Sequence, residues 1–526
     1  MVQITQKSGA FAWRSFISRG ALIGETALLI YLALVILLVH LLTGANYGFF
    51  RDELYYIDAG QHLAFGYVEF PPLIAWLAAL IHSIFGNILL AYHILPAIAG
   101  ALLILLTGLI ARELGGGGLA QCLAALASAV AGVFLAADSV FSMDSFDELW
   151  WALAVLLLIL IIKRGQPRLW LLFGLIIGLG LFTKLTILGL VGALIVGLLL
   201  TPERKCLWNR WILLGGIIAF AFLLPYILWN VVNGWPTLEF WSTYSSGHTN
   251  PTDAPGFFYQ QIVGMNPLTL PLWIIGLLTY FFDRRLRAYR VLGWAFAILY
   301  VLFTLGHAKV YFLAPAYPML FAAGALTCER FLHKRRWHWP QAAYMALLVL
   351  VGIVLAPIAM PILPPASYGQ IMSFAGGNAG IKVEQRATST LPQQLADRFG
   401  WDSMTATVAQ VFHQLPANEQ AQACILTENY GEAGAIDLYG PAYHLPHAIS
   451  GHNTYYLWGP GNCTGAVIIT IGYPQNVLQT AFASVTQAGL ITCQYCMPEE
   501  NNLPVYVCLH LKSSIQVIWP TIKHYT

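Results

Sequence analysis

Apolar runs of about 17 to 25 residues, the length a helix needs to cross the hydrocarbon core of a bilayer, recur along most of the chain. They lie near residues 22–43, 88–111, 119–137, 146–162, 169–183, 186–201, 211–232, 267–282, 291–306, 310–329 and 340–360. This pattern predicts a polytopic α-helical membrane protein with about eleven transmembrane helices. The stretch LIAWLAALIHSIFGN, 73–87, is apolar but shorter, and it follows Pro71-Pro72. It predicts a helix lying in the membrane interface that returns the chain to the same side. After residue 361 the periodicity changes: short β-rich runs (ACILTEN, GAVIITIGY, VYVCLHL) alternate with helix-compatible ones (GEAGAIDLYG, NVLQTAFASVTQAG). That alternation predicts a small α/β domain. The chain therefore divides into a membrane domain, 1–360, and an α/β domain, 361–526, with SYGQIMSFAGGNAG, 367–380, as a flexible lead-in.

Basic residues orient these spans, because Lys and Arg near span ends concentrate on the cytoplasmic side. The runs Arg14/Arg19, Arg112, Lys163/Arg164/Arg168, Arg204/Lys205/Arg210, Arg284/Arg285/Arg287/Arg290 and Arg330/Lys334/Arg335/Arg336 all fall on one side of the expected spans. The N-terminus is then cytoplasmic and the α/β domain extracytoplasmic. The first span follows a basic stretch, but no A-x-A-like site closes it, so it reads as an uncleaved anchor. Three cations of the membrane domain break the bias: Arg51, Lys184 and Lys309. Composition agrees, since 58% hydrophobic and 10% charged residues contrast with the roughly 25% charge of soluble chains. A net charge of +2 offers no patch for nucleic acid. Cys424, Cys463, Cys493, Cys496 and Cys508 fall in the exported region, where one or two disulfides are expected with pairing left open. The lone CQYC is also compatible with half a zinc site, but no second CxxC accompanies it. His444, His447 and His452 lack a helical HExxH, and GGGG at 115–118 lacks a Walker lysine, so no metal, nucleotide or other cofactor is expected.

Candidate chemistry collects on the outer side. Asp52, Glu53, Asp58, Glu69, Asp138, Asp144, Asp147 and Glu148 gather there with the three exceptional cations and His307. Ionisable residues beside lipid are costly and mark sites or ion paths. A transporter or lipid flippase, the alternative reading, places its binding groups near the bilayer midplane. These residues instead fall at loop-to-span junctions, which favours a site open to both lipid and water. Each has a structural reading too: Arg51 and Asp52 as an interfacial ion pair, Asp144 as a helix cap, and Lys184 as a snorkelling side chain. Asp58, Asp138, Asp147 and Glu148 read as solvated or capping residues.

The order of five elements is more specific. DE in the first outer loop, PPL opening the interfacial helix, the aspartate of SMDSFDELWW, then LGLFTKLT, then HAKVYFLAPAYP resembles glycosyltransferase family 39 of the GT-C superfamily over about residues 45–330. That family includes protein O-mannosyltransferases and aminoarabinose transferases of lipid A. The resemblance implies an inverting transfer of a sugar from a polyprenyl-phosphate carrier to a lipid, glycan or protein hydroxyl, outside the cytoplasmic membrane. It implies Asp52 as catalytic base, with Glu53 and Asp144 as further catalytic candidates. Arg51, Tyr55, Lys184, His307 and Lys309 are the substrate-binding candidates. In the aminoarabinose transferases a lysine precedes PPL, whereas here Phe70 follows Glu69, so the carrier phosphate must meet other cations.

Overall fold

The computed structural model describes residues 25–247, 253–335, 339–374 and 389–526; the basic residues Lys7, Arg14, Arg19 and Arg336 and the second part of the expected lead-in, 375–380, lie outside them. Sixteen helices build the membrane part: α1 (Glu25–Thr43), α2 (Arg51–Gln61), α3 (Leu73–Phe85), α4 (Leu89–Glu113), α5 (Gly118–Ala129), α6 (Gly132–Ala137), α7 (Met143–Arg164), α8 (Leu169–Thr183), α9 (Ile187–Leu199), α10 (Arg210–Val232), α11 (Pro236–Gly247), α12 (Ala254–Gly264), α13 (Leu270–Phe282), α14 (Arg290–Leu305), α15 (Tyr317–Arg335) and α16 (Trp339–Ala359). Every apolar segment expected from the sequence contains helix. Among the described residues six helices are long and apolar enough to span, and a seventh arises if α12 and the helix pair Pro267–Phe282, bent by 101°, form one span. The bend falls where Asn266 adopts φ 69° and caps the Leu268 amide at 3.1 Å. α3, the expected interfacial helix, forms as 13 residues. α11 and α12 were not expected, because both are too short and too mixed in polarity to register as apolar runs.

The core of the bundle is close-packed where glycines let backbones meet. A Cβ on Gly276 of α13 would lie 2.0 Å from the Leu320 carbonyl of α15, and one on Gly324 of α15 would lie 1.9 Å from that of Leu272. Such small-residue contacts are the usual means of helix association in lipid. The GGGG turn is held by Glu329 of α15, whose carboxylate accepts from the Gly117 amide at 2.7 Å and the Ala120 amide at 3.2 Å.

The C-terminal region forms a five-stranded mixed sheet of order β2-β1-β3-β5-β4. Its strands are β1 (Ala423–Thr427), β2 (Ala448–Ser450), β3 (Val467–Ile471), β4 (Phe482–Ile491) and β5 (Leu503–Leu511). β1 runs parallel to both β2 and β3, while β5 is antiparallel to β3 and β4. The helix-compatible run NVLQTAFASVTQAG is helical only through Ala481; from Phe482 it is strand β4, because ten residues there find a ladder along β5. Pairing across the sheet overrides local propensity. Two helices of this domain matter below, α17 (Trp401–Gln414) and α18 (Tyr430–Tyr439). A disulfide joins Cys424 and Cys463, and Cys493, Cys496 and Cys508 are thiols.

Candidate active site

Arg51, Asp52 and Glu53 open α2. Consecutive helical residues point about 100° apart, so three neighbouring charges face three different surroundings. Arg51 is buried beneath the sheet domain, with its guanidinium 5.3 Å from the centre of the Tyr430 ring. Asp52 keeps a third of its side chain exposed, lies 3.7 Å from Arg51 Nε, and accepts a 2.7 Å hydrogen bond from the Tyr430 hydroxyl. Glu53 turns inward and is fully buried. Its Oε1 accepts from His93 Nε2 at 2.7 Å and from the Phe141 amide at 2.6 Å, while Oε2 accepts from the Phe50 amide at 2.7 Å. Burial alone would raise the Glu53 carboxyl; the His93 contact, the Arg398 charge and the Phe141 amide outweigh it and hold it below the ordinary carboxylate range. Every oxygen of Glu53 is thus engaged in locking α2, α4 and the start of α7 together. Glu53 fits the catalytic expectation poorly, since no substrate atom reaches a side chain closed off in this way.

Asp144 stands in the first turn of α7, where Ser142 caps the helix by accepting from the Asp144 amide at 3.2 Å. The capping role belongs to Ser142, and Asp144 instead pairs with Lys184 at the end of α8. Lys184 in turn lies over the rings of Phe312 at 4.5 Å and Tyr311 at 5.2 Å. Tyr311 is shared with Lys309, whose ammonium sits 5.9 Å from the same ring. The structure therefore lines up Asp144, Lys184, Tyr311 and Lys309. Tyr56 of α2 joins this line to Asp52: after burial, the charges of Asp52 and Asp144 do most to keep the Tyr56 phenol protonated. Among the described residues His307 makes no hydrogen bond, ion pair or ring contact with any of them; it is exposed in left-handed backbone, φ 48°.

Tyr55 does not face open space. Its ring is buried, and its hydroxyl donates to Glu69 Oε2 at 2.9 Å and accepts from the Thr454 amide at 3.1 Å. Asn453 donates to the other Glu69 oxygen. Burial pushes the Glu69 carboxyl up to about 8 despite these hydrogen bonds. A protonated Glu69 at neutral pH spares Asp52 a like charge. Asp58, Asp138, Asp147 and Glu148, expected to be solvated or capping, are all buried. Asp147 bonds Trp151 at 3.0 Å and Thr186 at 2.7 Å, tying α7 to α9.

The stretches ENYGEAGAIDLYG and YHLPHAISGHNTYYLWGP, rich in Gly, aromatics and His, suit a loop surface that touches a sugar or the membrane, and from them Tyr430, Asn453 and Thr454 reach this site; the sequence singled out none of the three for it, nor Arg398. Arg398 is buried and donates to the Ser139 carbonyl at 3.0 Å and hydroxyl at 2.9 Å.

Comparison with known proteins bears on this arrangement. Residues 69–229 match the family described as dolichyl-phosphate-mannose-protein mannosyltransferase. ArnT from Cupriavidus metallidurans superimposes with a TM-score of 0.61 in its apo state and 0.60 bound to undecaprenyl phosphate, at 16% identity, covering 93% of this chain and 98% of that one. The chain has the ArnT-like GT-C fold. Two curated relatives share sequence with this chain: the lipid A galacturonosyltransferase RgtD of Rhizobium johnstonii, 29% identical over 213 residues, and the undecaprenyl phosphate-alpha-4-amino-4-deoxy-L-arabinose arabinosyl transferase of Pseudomonas aeruginosa, 25% identical over 221 residues. Each alignment takes in 39% of this chain, and it spans 44% and 40% of the respective relative, less than half in both cases.

Proposed function

We propose that the chain transfers a sugar from a polyprenyl-phosphate carrier to an acceptor hydroxyl at the outer face of the cytoplasmic membrane. The observation that carries this reading is the pairing of one partly exposed, hydrogen-bonded carboxylate, Asp52, with a line of aromatic-backed cations at the same end of the bundle. A glycosyl phosphate already has a good leaving group, so the site needs a base for the incoming hydroxyl and positive charge for the departing phosphate. The acceptor oxygen attacks the anomeric carbon, its proton passes to Asp52, and the carbon–oxygen bond to phosphate breaks. One displacement inverts the sugar. Lys184 and Lys309 receive the phosphate, Arg51 sets the field at Asp52, and Asp144 orients Lys184. The unit 1–360 carries the chemistry, and 361–526 closes over it and helps to meet the acceptor.

The test is direct. Purified protein is incubated with radiolabelled undecaprenyl-phosphate-linked 4-amino-4-deoxy-L-arabinose, galacturonic acid and mannose together with a cell-envelope extract that supplies acceptor hydroxyls, and acceptor-dependent release of undecaprenyl phosphate is scored. Release from at least one donor is expected; release from none, with folded protein that binds undecaprenyl phosphate, overturns the reading. Lys309→Ala should weaken undecaprenyl phosphate binding about tenfold, the worth of one charge-assisted hydrogen bond, with the thermal midpoint unchanged. Unaltered affinity removes Lys309 from the phosphate site.

Orientation follows from the basic bias. Alkaline phosphatase fused after Pro364 should be active, since everything beyond α16 then lies outside. A silent fusion, where a cytoplasmic reporter at the same position works, inverts the topology.

A further inference from the structure

We propose that Tyr430, supplied by the sheet domain, is the positioning residue that holds the Asp52 carboxylate for proton transfer, so that the site is complete only when α18 is seated on α2. This rests on the reading of Asp52 as the base. Four observations carry it.

Tyr430 is the first residue of α18, and its backbone is fixed. Asn429 caps the helix by accepting from the Glu432 amide at 3.0 Å, and the Glu432 carboxylate accepts in return from the Asn429 amide at 3.2 Å. The Tyr430 amide itself donates to His452 Nδ1 at 3.3 Å. The Tyr430 ring is fixed as well, stacked on Tyr55 at 4.9 Å and tilted against His452 at 4.9 Å, with the Arg51 guanidinium on its face. A hydroxyl held by two rings and a cation sets the direction of the carboxylate it donates to. Finally, α18 approaches α2 closely enough to exclude side chains. A Cβ on Gly431 would lie 2.5 Å from Arg51 Cγ, and one on Gly434 would lie 2.9 Å from the Leu54 carbonyl carbon. This close approach puts the phenol within 2.7 Å of the base.

Among the described residues, the charged and titratable groups around Asp52 are Arg51 and Tyr56 of its own helix, Glu69 of the following loop, Asp144 of α7 and Tyr430. Tyr430, which donates to Asp52, can be changed at a single atom without altering a charge at neutral pH. A hydrogen bond to the ionised carboxylate favours that form, so removing the hydroxyl makes Asp52 easier to protonate.

The experiment labels the whole protein with a carbodiimide and an amine across a pH series, because only the protonated carboxyl reacts, and reads Asp52 by peptide mass spectrometry. Tyr430→Phe should raise the labelling midpoint of Asp52 by about one pH unit, with the thermal midpoint unchanged. Incorporating 3-fluorotyrosine at position 430, a stronger donor with every contact retained, should move the midpoint the other way. A midpoint that stays in place in both proteins overturns the proposal, as does a loss of thermal stability in Tyr430→Phe with no shift. If Tyr430→Phe does not fold, the 3-fluorotyrosine protein decides by itself. Labelling needs no turnover, so this test and the one that checks Asp52 as base fail independently.

Discussion

Asp52→Asn should lower single-turnover sugar transfer by roughly 10²-fold or more, the usual worth of a positioned general base. The substitution is nearly isosteric, and the asparagine carbonyl can still accept the Tyr430 hydroxyl that lies 2.7 Å from Asp52. Folding should survive, because a third of the Asp52 side chain is exposed and asparagine keeps its size and an acceptor oxygen. Undecaprenyl phosphate binding should change by no more than about twofold, since the base acts on the acceptor and the phosphate meets cations elsewhere. The protonated Glu69 nearby adds no repulsion to a charged Asp52. The measurement is a rapid-quench assay with enzyme in excess over labelled donor, so that chemistry and not product release is observed. Turnover close to that of the parent protein would take the role of base away from Asp52 and pass it to Asp144, the next carboxylate along the same line of side chains.

Hydropathy made the helical segments legible, because a lipid solvent demands long apolar runs and confines charge to their ends. The same demand exposed Arg51, Lys184 and Lys309, each of which breaks the charge bias. What could not be read is how those ends are closed over. Tyr430 reaches Asp52 from 378 residues away and Asn453 reaches Glu69 from 384 residues away, distances over which no local pattern carries information. Only the family resemblance set Asp52 ahead of Glu53, since two adjacent acids otherwise differ only in helical phase, and the phase is set by which side His93 and Phe141 occupy. Strand β4 escaped for a related reason, being defined by its partner β5 and not by its own composition. The short helices α8 and α9, of 15 and 13 residues, were legible as apolar but not as breaks in the bundle. Their junction at Lys184 is where a cation can be held beside lipid.

Glu53→Ala should destabilise the protein by about 3 kcal/mol or more, through the fold and not through chemistry. The substitution strips acceptors from His93 Nε2, the Phe141 amide and the Phe50 amide. The first two are deeply buried, and each buried donor left without a partner costs about 1–3 kcal/mol; removing one member of a buried charged pair costs about 3–5 kcal/mol. Glu53→Gln keeps one acceptor oxygen but turns the other into a donor that faces donors, so it should fall between the parent and alanine. The effect has a pH signature. The folded protein holds the Glu53 carboxyl below its ordinary range, so its contribution is fully present at neutral pH and is lost as pH falls below about 4.3, the unfolded value, towards the lower folded one. The thermal midpoint of the parent should therefore drop on acidification through that window, and the drop should be smaller in Glu53→Gln, which has no proton to take up there. Thermal unfolding in detergent at neutral pH and near pH 4 checks both statements. An unchanged midpoint in Glu53→Ala would mean that α2 is positioned by the sheet domain alone, through Arg398 and α18, and that the buried half of the acidic pair is dispensable.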